Sequence, residues 1–313
     1  MLITPTHHIG VPTQIGPLTV FPVWTDAPVP RRAIRTVVPK KATVQELADG
    51  AQVNTLHLVN PTEKTFLLPR GYLLTGGLQH RVLANSAVIQ PRSEAFLDVR
   101  CVEQGRWGGS TDQRIGARYA PLAVRGALNG IRRDRSTRHQ PGWAARADQG
   151  DVWSRVNIYE QLLGPSESNS IVEITARVDV DAREIARSVK LLPGQRGVLI
   201  GIGGHPVLME VFDHPRTLAD EIEAILAGVA VDARFVPVEG TPARRARTFA
   251  AAASRRRLDC RASTSTGAMH EANDNLVSID AVAVPEGSGL NAAGDRAVHM
   301  SILNARHILV GAS

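Results

Sequence analysis

An α+β fold, with an N-terminal β-rich meander or sandwich followed by an α+β half, is predicted by three features of the chain. Its first third breaks into short, β-branched apolar runs separated by turn residues. Its second half alternates strand-like and helix-like patterns without the even β-α-β succession that builds a parallel sheet. Between the two halves, a stretch rich in glycine, proline and arginine loses sustained periodicity. These shifts divide the chain into a β-rich part over 1–108, an arginine-rich loop or linker over 109–150 and an α+β part over 151–313, which can also form one continuous domain. A chain of 313 residues buries a sizeable core without disulfide support.

Pro17 to Trp24 reads as a strand, as does Val53 to Val59, which is followed by the turn Asn60-Pro61-Thr62 and the strand Thr65 to Leu68. Thr43-Val44-Gln45-Glu46 has capping-box spacing and Gly50 can close a helix, so a short helix is expected across one end of the sheet. Arg81 to Gln90 and Ala95 to Val102 continue the strands across the polar turn Pro91-Arg92-Ser93-Glu94. In the latter strand Leu97, Val99 and Cys101 alternate onto one apolar face, which makes Cys101 a buried small hydrophobe more readily than a nucleophile. Gly108 to Gly150 reads as a long loop with one helix near Leu122 to Ile131; it is a candidate lid or ligand clamp, or a disordered linker.

Asp151 is expected to cap a helix whose apolar face is Val152, Val156, Tyr159 and Leu163. Ile171 to Val178 reads as a strand and Val180 to Leu192 as a helix stopped by Pro193-Gly194. Val198 to Ile202 and Val207 to Phe212 form a hairpin around Gly203-Gly204. A strand follows Gly201-x-Gly203-Gly204, not a helix N-terminus, which favours a tight turn over a phosphate loop. Glu210 on the second of these strands is either half-buried and paired or part of a site. Leu218, Ile222, Ile225 and Leu226 mark a helix ending at Gly228, and Pro242 to Arg257 a basic helix capped by Thr241. Leu276 to Val284 and Ala297 to Leu303 make a closing pair of strands.

The formal net charge of +6 is unevenly spread. Gln113 to Ala147 holds eight arginines against Asp134, and Thr241 to Arg261 holds seven against Asp259, so the rest of the chain carries −7. Guanidinium groups match phosphate oxygens two at a time, which points to a polyanionic partner such as nucleic acid; an arginine-biased coding composition with both segments solvated explains the same counts. Cys101 and Cys260 lie far apart and suggest a reducing compartment, the cytoplasm. Nothing resembling a signal peptide or a membrane-spanning run of roughly 20 apolar residues appears, so no membrane partner is expected. Histidines and cysteines lack zinc spacing, and nucleophile-elbow and Walker patterns are absent.

The densest functional signal runs from Gln79 to Trp107. Glu103 follows a strand end, where a carboxylate can act as general acid or base or pair with Arg81 or Arg106 to fix a turn. Trp107, among Gly105, Gly108 and Gly109, can stack on a base or sugar ring or plug the end of the sheet. Asp148 and Asp151 could together hold Mg²⁺ with a ligand's phosphates, although Asp151 is already explained as a cap.

The strings Gln79-x-Arg81-Val82-Leu83, Cys101-Val102-Glu103-Gln104-Gly105-Arg106-Trp107 and Asp148-Gln149-Gly150-Asp151-Val152-Trp153 resemble the family named for its association with ADP-ribosylglycohydrolases and rhodanese-phosphatases. Ile202-Gly203-Gly204 and Glu210-Val211-Phe212-Asp213 extend the resemblance over most of the chain. It implies, through gene association, a place in NAD and ADP-ribose metabolism. Where relatives carry acidic residues just before the glutamine, this chain has Tyr72-Leu73-Leu74-Thr75-Gly76-Gly77, so any role of those acids is lost or altered here.

Together these readings lead to an enzyme acting by hydrolysis or transfer on an ADP-ribose- or NAD-derived phosphorylated ligand. Glu103 is its acid/base candidate, and Gln79, Arg81, Gln104, Arg106 and Trp107 are its ligand-binding candidates. The alternative is a non-catalytic nucleotide- or nucleic-acid-binding module or a regulator of a partner enzyme.

Overall fold

The computed structural model describes residues 1–131, 148–285 and 294–311. The chain opens with β1 (Leu2–Ile3), β2 (His7–Ile9), β3 (Thr13–Ile15) and β4 (Leu18–Thr25). It continues through β5 (Thr43–Gln45), β6 (Thr55–Asn60), β7 (Phe66–Leu68), β8 (Tyr72–Gly76), β9 (Arg81–Leu83), β10 (Ala87–Ile89), β11 (Ser93–Cys101) and β12 (Asp112–Tyr119). Four helices follow: α1 (Leu122–Leu128), α2 (Gln149–Leu163), α3 (Ile171–Ala176) and α4 (Asp179–Arg187). The hairpin β13 (Gly197–Ile202) and β14 (His205–Phe212) precedes α5 (Pro215–Ala233) and α6 (Ala243–Ala253). The last strands are β15 (Arg257–Thr264), β16 (Gly267–Asn273), β17 (Val277–Pro285) and β18 (Asp295–Asn304). The class is α+β, as the sequence predicts.

Six of the strands, in the order β11-β6-β5-β12-β8-β9, close into a barrel. Alternation predicted a meander or sandwich; closure comes from β12, which returns to pair with both β5 and β8 and so leaves no open edge. The period-2 pattern is plain in β6, where Leu56, Leu58 and Asn60 are buried and Thr55, His57 and Val59 are half-buried.

The second assembly is a sheet in the order β1-β15-β16-β17-β18-β14-β13-β4-β2, with β3 also on β4. It draws strands from both the 1–108 and the 151–313 segments, since β4 pairs with β13 along Leu18 to Val23. Its two edge strands, β1 and β2, are consecutive in the chain, so residues 4–6 must step from one edge to the other and the sheet has to curl. Thr4 anchors that step, its amide donating to Arg256 O and its hydroxyl to Ala253 O. Helix α6 lies in the hollow, with Ala246, Phe249 and Ala250 packed among Phe21, Leu199, Met209 and Ile302. The alternate residues Val20, Val198, Ile200 and Leu208 join the core shared with α5 and the barrel.

Several local expectations are corrected. Thr43 to Gly50 is not a helix: Thr43-Val44-Gln45 is β5, with Val44 buried between two exposed residues, and pairing on both sides outweighs the capping-box spacing. Ile171 to Val178 is not a strand, because Ile171, Ile174 and Thr175 form one buried face of α3 at helical spacing. The cap of α2 is Asp148, which accepts from Gly150 N at 3.1 Å, whereas Asp151 sits in the first turn 3.7 Å from Arg155. Thr241 does not cap α6; it presses against Gly201, where a Cβ would fall 2.1 Å from the threonine Oγ1. Helix α5 runs past Gly228 to Ala233. Arg81 to Gln90 divides into β9 and β10, and the presumed loop after Gly108 contains β12 and α1; its arginine-rich remainder, 132–147, lies outside the described residues. Gly203 and Gly204, at φ 57° and 78°, form the tight turn expected between β13 and β14. Among the described residues no helix is long and apolar enough to cross a membrane.

Candidate functional site

Three connections meet at one end of the barrel: the β8–β9 turn, the β11–β12 connection and the residue after β5. Backbone bonds tie them together, from Gly77 N to Asp112 O at 2.8 Å and from Gly108 N to Leu78 O at 3.1 Å. The structure thereby gathers Gln79, Arg81, Glu103, Arg106 and Trp107. Gln104 is exposed and stands outside this hydrogen-bonded cluster.

Glu103 is fully buried, and four donors converge on its two oxygens. Arg106 Nε and Ser168 Oγ reach Oε1 at 2.9 and 2.6 Å; Arg106 Nη2 and the His80 amide reach Oε2 at 2.6 and 2.7 Å. Burial alone would raise the carboxyl pKa, but the bonds from Arg106, Ser168 and the His80 amide outweigh it and hold Glu103 below the usual carboxylate range. Arg106 is as fully engaged. Its Nη1 donates to Gly77 O at 2.8 Å and Gly108 O at 2.7 Å, so the pair clamps the β8–β9 turn onto the β11–β12 connection.

Arg81 is buried inside the barrel end, and its Nη1 donates to Gln79 Oε1 at 2.9 Å. Glu46 Oε1 lies 3.6 Å from its Nη2, but Nε and Nη2 make no hydrogen bond. Glu46 Oε2 and Gln113 Oε1 are likewise buried and unbonded, so polar atoms of both signs are orphaned at the barrel mouth. The Arg81 guanidinium carbon lies 5.8 Å from the centre of the Trp107 ring, and Trp107 is 55% exposed. Its indole thus caps Arg81 on one side and faces solvent on the other.

His80 adds a titratable edge. Its Nδ1 is 2.8 Å from Ser170 Oγ and 3.4 Å from Glu103 Oε2, and 15% of its side chain is exposed. Burial, with Arg106 and Arg81 beside it, outweighs the pull of Glu103 and favours the neutral ring. Ser168 and Ser170 arrive on the turn between α2 and α3, pinned by Gly105 N donating to Ser168 O at 2.8 Å. Cys101 is buried as its strand alternation predicts, and its thiol donates to Glu103 O at 3.1 Å.

The arginine clusters divide. Arg125 is buried against Glu210, which also accepts from His299 Nε2 at 2.8 Å, so Glu210 is the fully paired residue its strand position allowed and Arg125 serves the core. Arg114 is exposed, as are Arg244, Arg245 and Arg247 on α6. Asp148 is engaged as a helix cap and Asp151 faces Arg155, and no group of three or more metal-type side chains occurs among the described residues.

Sequence reading missed Glu46, Gln113, Ser168 and Ser170. Glu46 was hidden by the helix reading of its segment and Gln113 by the loop reading of β12; the run Ser166-Glu167-Ser168-Asn169-Ser170 carries a polar signal, but nothing local places it against Glu103. No curated protein and no solved structure matches this chain. The family model described as the ARG and Rhodanese-Phosphatase-superfamily-associated Protein domain matches residues 6–303, and the chain belongs to that family.

Proposed function

We propose that the barrel end recognises an ADP-ribose- or NAD-derived phosphorylated ligand and that the protein is a non-catalytic nucleotide-binding module. The reading rests on the Trp107–Arg81 pair, a half-exposed indole over a buried guanidinium with two unbonded nitrogens. A nucleotide supplies a flat base for the indole and phosphate oxygens for the guanidinium, once the Gly105–Gly109 turn lets Trp107 shift. Glu103 then positions Arg106 and does not carry protons, because its lone pairs are already engaged. Hydrolysis or transfer of the same ligand is the enzyme alternative, and it would draw on His80 as acid or base. The tie to ADP-ribosylglycohydrolases implied by the Cys101-to-Trp107 string supports the ligand class by association, and a reducing cytoplasm suits two free cysteines. Titrating ADP-ribose, NAD and AMP while following tryptophan emission tests the reading. Saturable quenching that disappears in Trp107→Phe supports it; unchanged emission and an unchanged melting point with all three ligands sink it.

A second reading, nucleic-acid binding, is favoured by α6. Arg244 and Arg245 line a groove of about 370 Å³ together with His205 and Thr248, and Arg247 is exposed on the same helix. Affinity for single-stranded RNA that falls steeply with salt and drops in an Arg244→Gln/Arg247→Gln double variant would support it, and salt-independent binding would exclude it.

A further inference from the structure

A cleft of about 610 Å³ opens where the barrel meets the curled sheet, a volume within the range of roughly 300–1,000 Å³ common to small-molecule sites. None of the barrel-end residues lines it. It is bounded by the segment between β9 and β10, by Phe96 to Asp98 on β11, and by the β15–β16 hairpin with its Ser265-Thr266 turn. Leu83, Leu97 and Met269 give it apolar walls. Phe96 is 69% exposed and stacks on His57 across the β6–β11 pair, with ring centres 5.3 Å apart.

The polar lining is balanced in charge. Asp98 accepts from Arg100 Nη1 at 2.5 Å on one oxygen and from Asn85 Nδ2 at 2.6 Å on the other, and the other side of the same amide, Asn85 Oδ1, lies 3.5 Å from Arg261 Nη1. Arg261 also lies 3.6 Å from Glu271, so both of its contacts are long and it can turn toward a ligand oxygen. Hydroxyls of Ser86, Thr264, Ser265 and Thr266 complete the lining. Ser86 is fixed from behind, accepting from Arg70 N at 2.9 Å and touching His299 Nδ1 at 3.3 Å, which makes that wall preorganised. The lining offers a phosphate one cation, Arg261, with the Arg100-paired Asp98 beside it, whereas one acid, one base, an amide and a row of hydroxyls match the alternating donors and acceptors of a sugar ring.

We propose that this cleft binds an uncharged, ring-bearing polyol of the nucleoside or glycoside class, its ring against Phe96 and its hydroxyls on Asp98, Arg261 and the Thr264–Thr266 turn. The site is independent of the barrel end, and failure at either leaves the other standing. The test is calorimetric titration with adenosine, uridine and methyl β-D-glucopyranoside, each compared with its monophosphate in the Trp107→Ala protein, so that nucleotide binding at the barrel end does not enter the comparison. At least one neutral ligand is expected to bind, its monophosphate about tenfold or more weaker, with Phe96→Ala weakening the neutral ligand about tenfold and Trp107→Ala leaving it unchanged. Phe96 is exposed, so its replacement leaves the fold intact. The proposal is overturned if no neutral ligand saturates, if the monophosphates bind equally or better, or if binding survives both Phe96→Ala and Arg261→Ala.

Discussion

Glu103 and Arg106 form a forked ion pair three residues apart, Nε and Nη2 of the arginine each donating to a different carboxylate oxygen. The carboxylate is buried, while 29% of the arginine side chain is exposed. The pair therefore works as a clamp between the β8–β9 turn and the β11–β12 connection. Replacing Glu103 by alanine strands the Arg106 guanidinium, the Ser168 hydroxyl and the His80 amide at once. A loss of roughly 3–5 kcal/mol is expected in urea unfolding. An unchanged midpoint would remove the clamp from the account.

The same clamp has a pH signature. Glu103 has a depressed pKa in the folded chain, so its contribution is present above the unfolded carboxylate value and is lost as pH falls through the folded one. Stability of the wild type is expected to drop in acid more steeply than that of Glu103→Gln, compared by thermal unfolding between pH 6 and 3.

Asp232 titrates with the opposite sign. Burial pushes its carboxyl up to about 7, although Tyr159 OH and the Leu122 amide both donate to it. A folded pKa above the unfolded 3.8 means that stability is full below that value and is lost as pH rises toward 7, by an amount on the order of a few kcal/mol. Asp232→Asn, whose amide can accept from Leu122 N and donate to Tyr159, should flatten the profile between pH 4 and 8. A slope identical to the wild type would contradict this.

Arg125 of the first arginine cluster and Arg244 of the second should behave differently. Arg125→Gln removes the arginine from the buried Glu210, leaving His299 and Ser301 as its partners, and is expected to cost roughly 3–5 kcal/mol, whereas Arg244→Gln on the exposed face of α6 should stay within about 0.5 kcal/mol in the same unfolding assay.

Legibility followed the range of the interactions. Strands β4 and β6 are legible as apolar, β-branched runs, and the Leu97-Val99-Cys101 alternation of β11 and the Leu218-Ile222-Ile225 spacing of α5 carry their burial in their own residues. Thr43-Val44-Gln45 was not, because two partners remote in sequence, β6 and β12, override its capping-box spacing. The candidate site divides the same way. Gln79, Arg81, Glu103, Arg106 and Trp107 lie in two short strings and could be grouped from the sequence. Glu46, Gln113 and the serines of the α2–α3 turn join them only through barrel closure and helix packing, which no local pattern encodes. Arg125 shows the converse: its neighbours in sequence suggested a solvated cationic cluster, and tertiary pairing with Glu210 put it in the core.

The most direct test of the nucleotide-binding account is a calorimetric titration of ADP-ribose into the wild-type protein and into Trp107→Ala, a change at an exposed side chain that spares the fold. The account predicts saturable one-to-one binding to the wild type that weakens about tenfold or more when the indole is removed. No heat of binding to the wild type, or equal affinity in the two proteins, would contradict it.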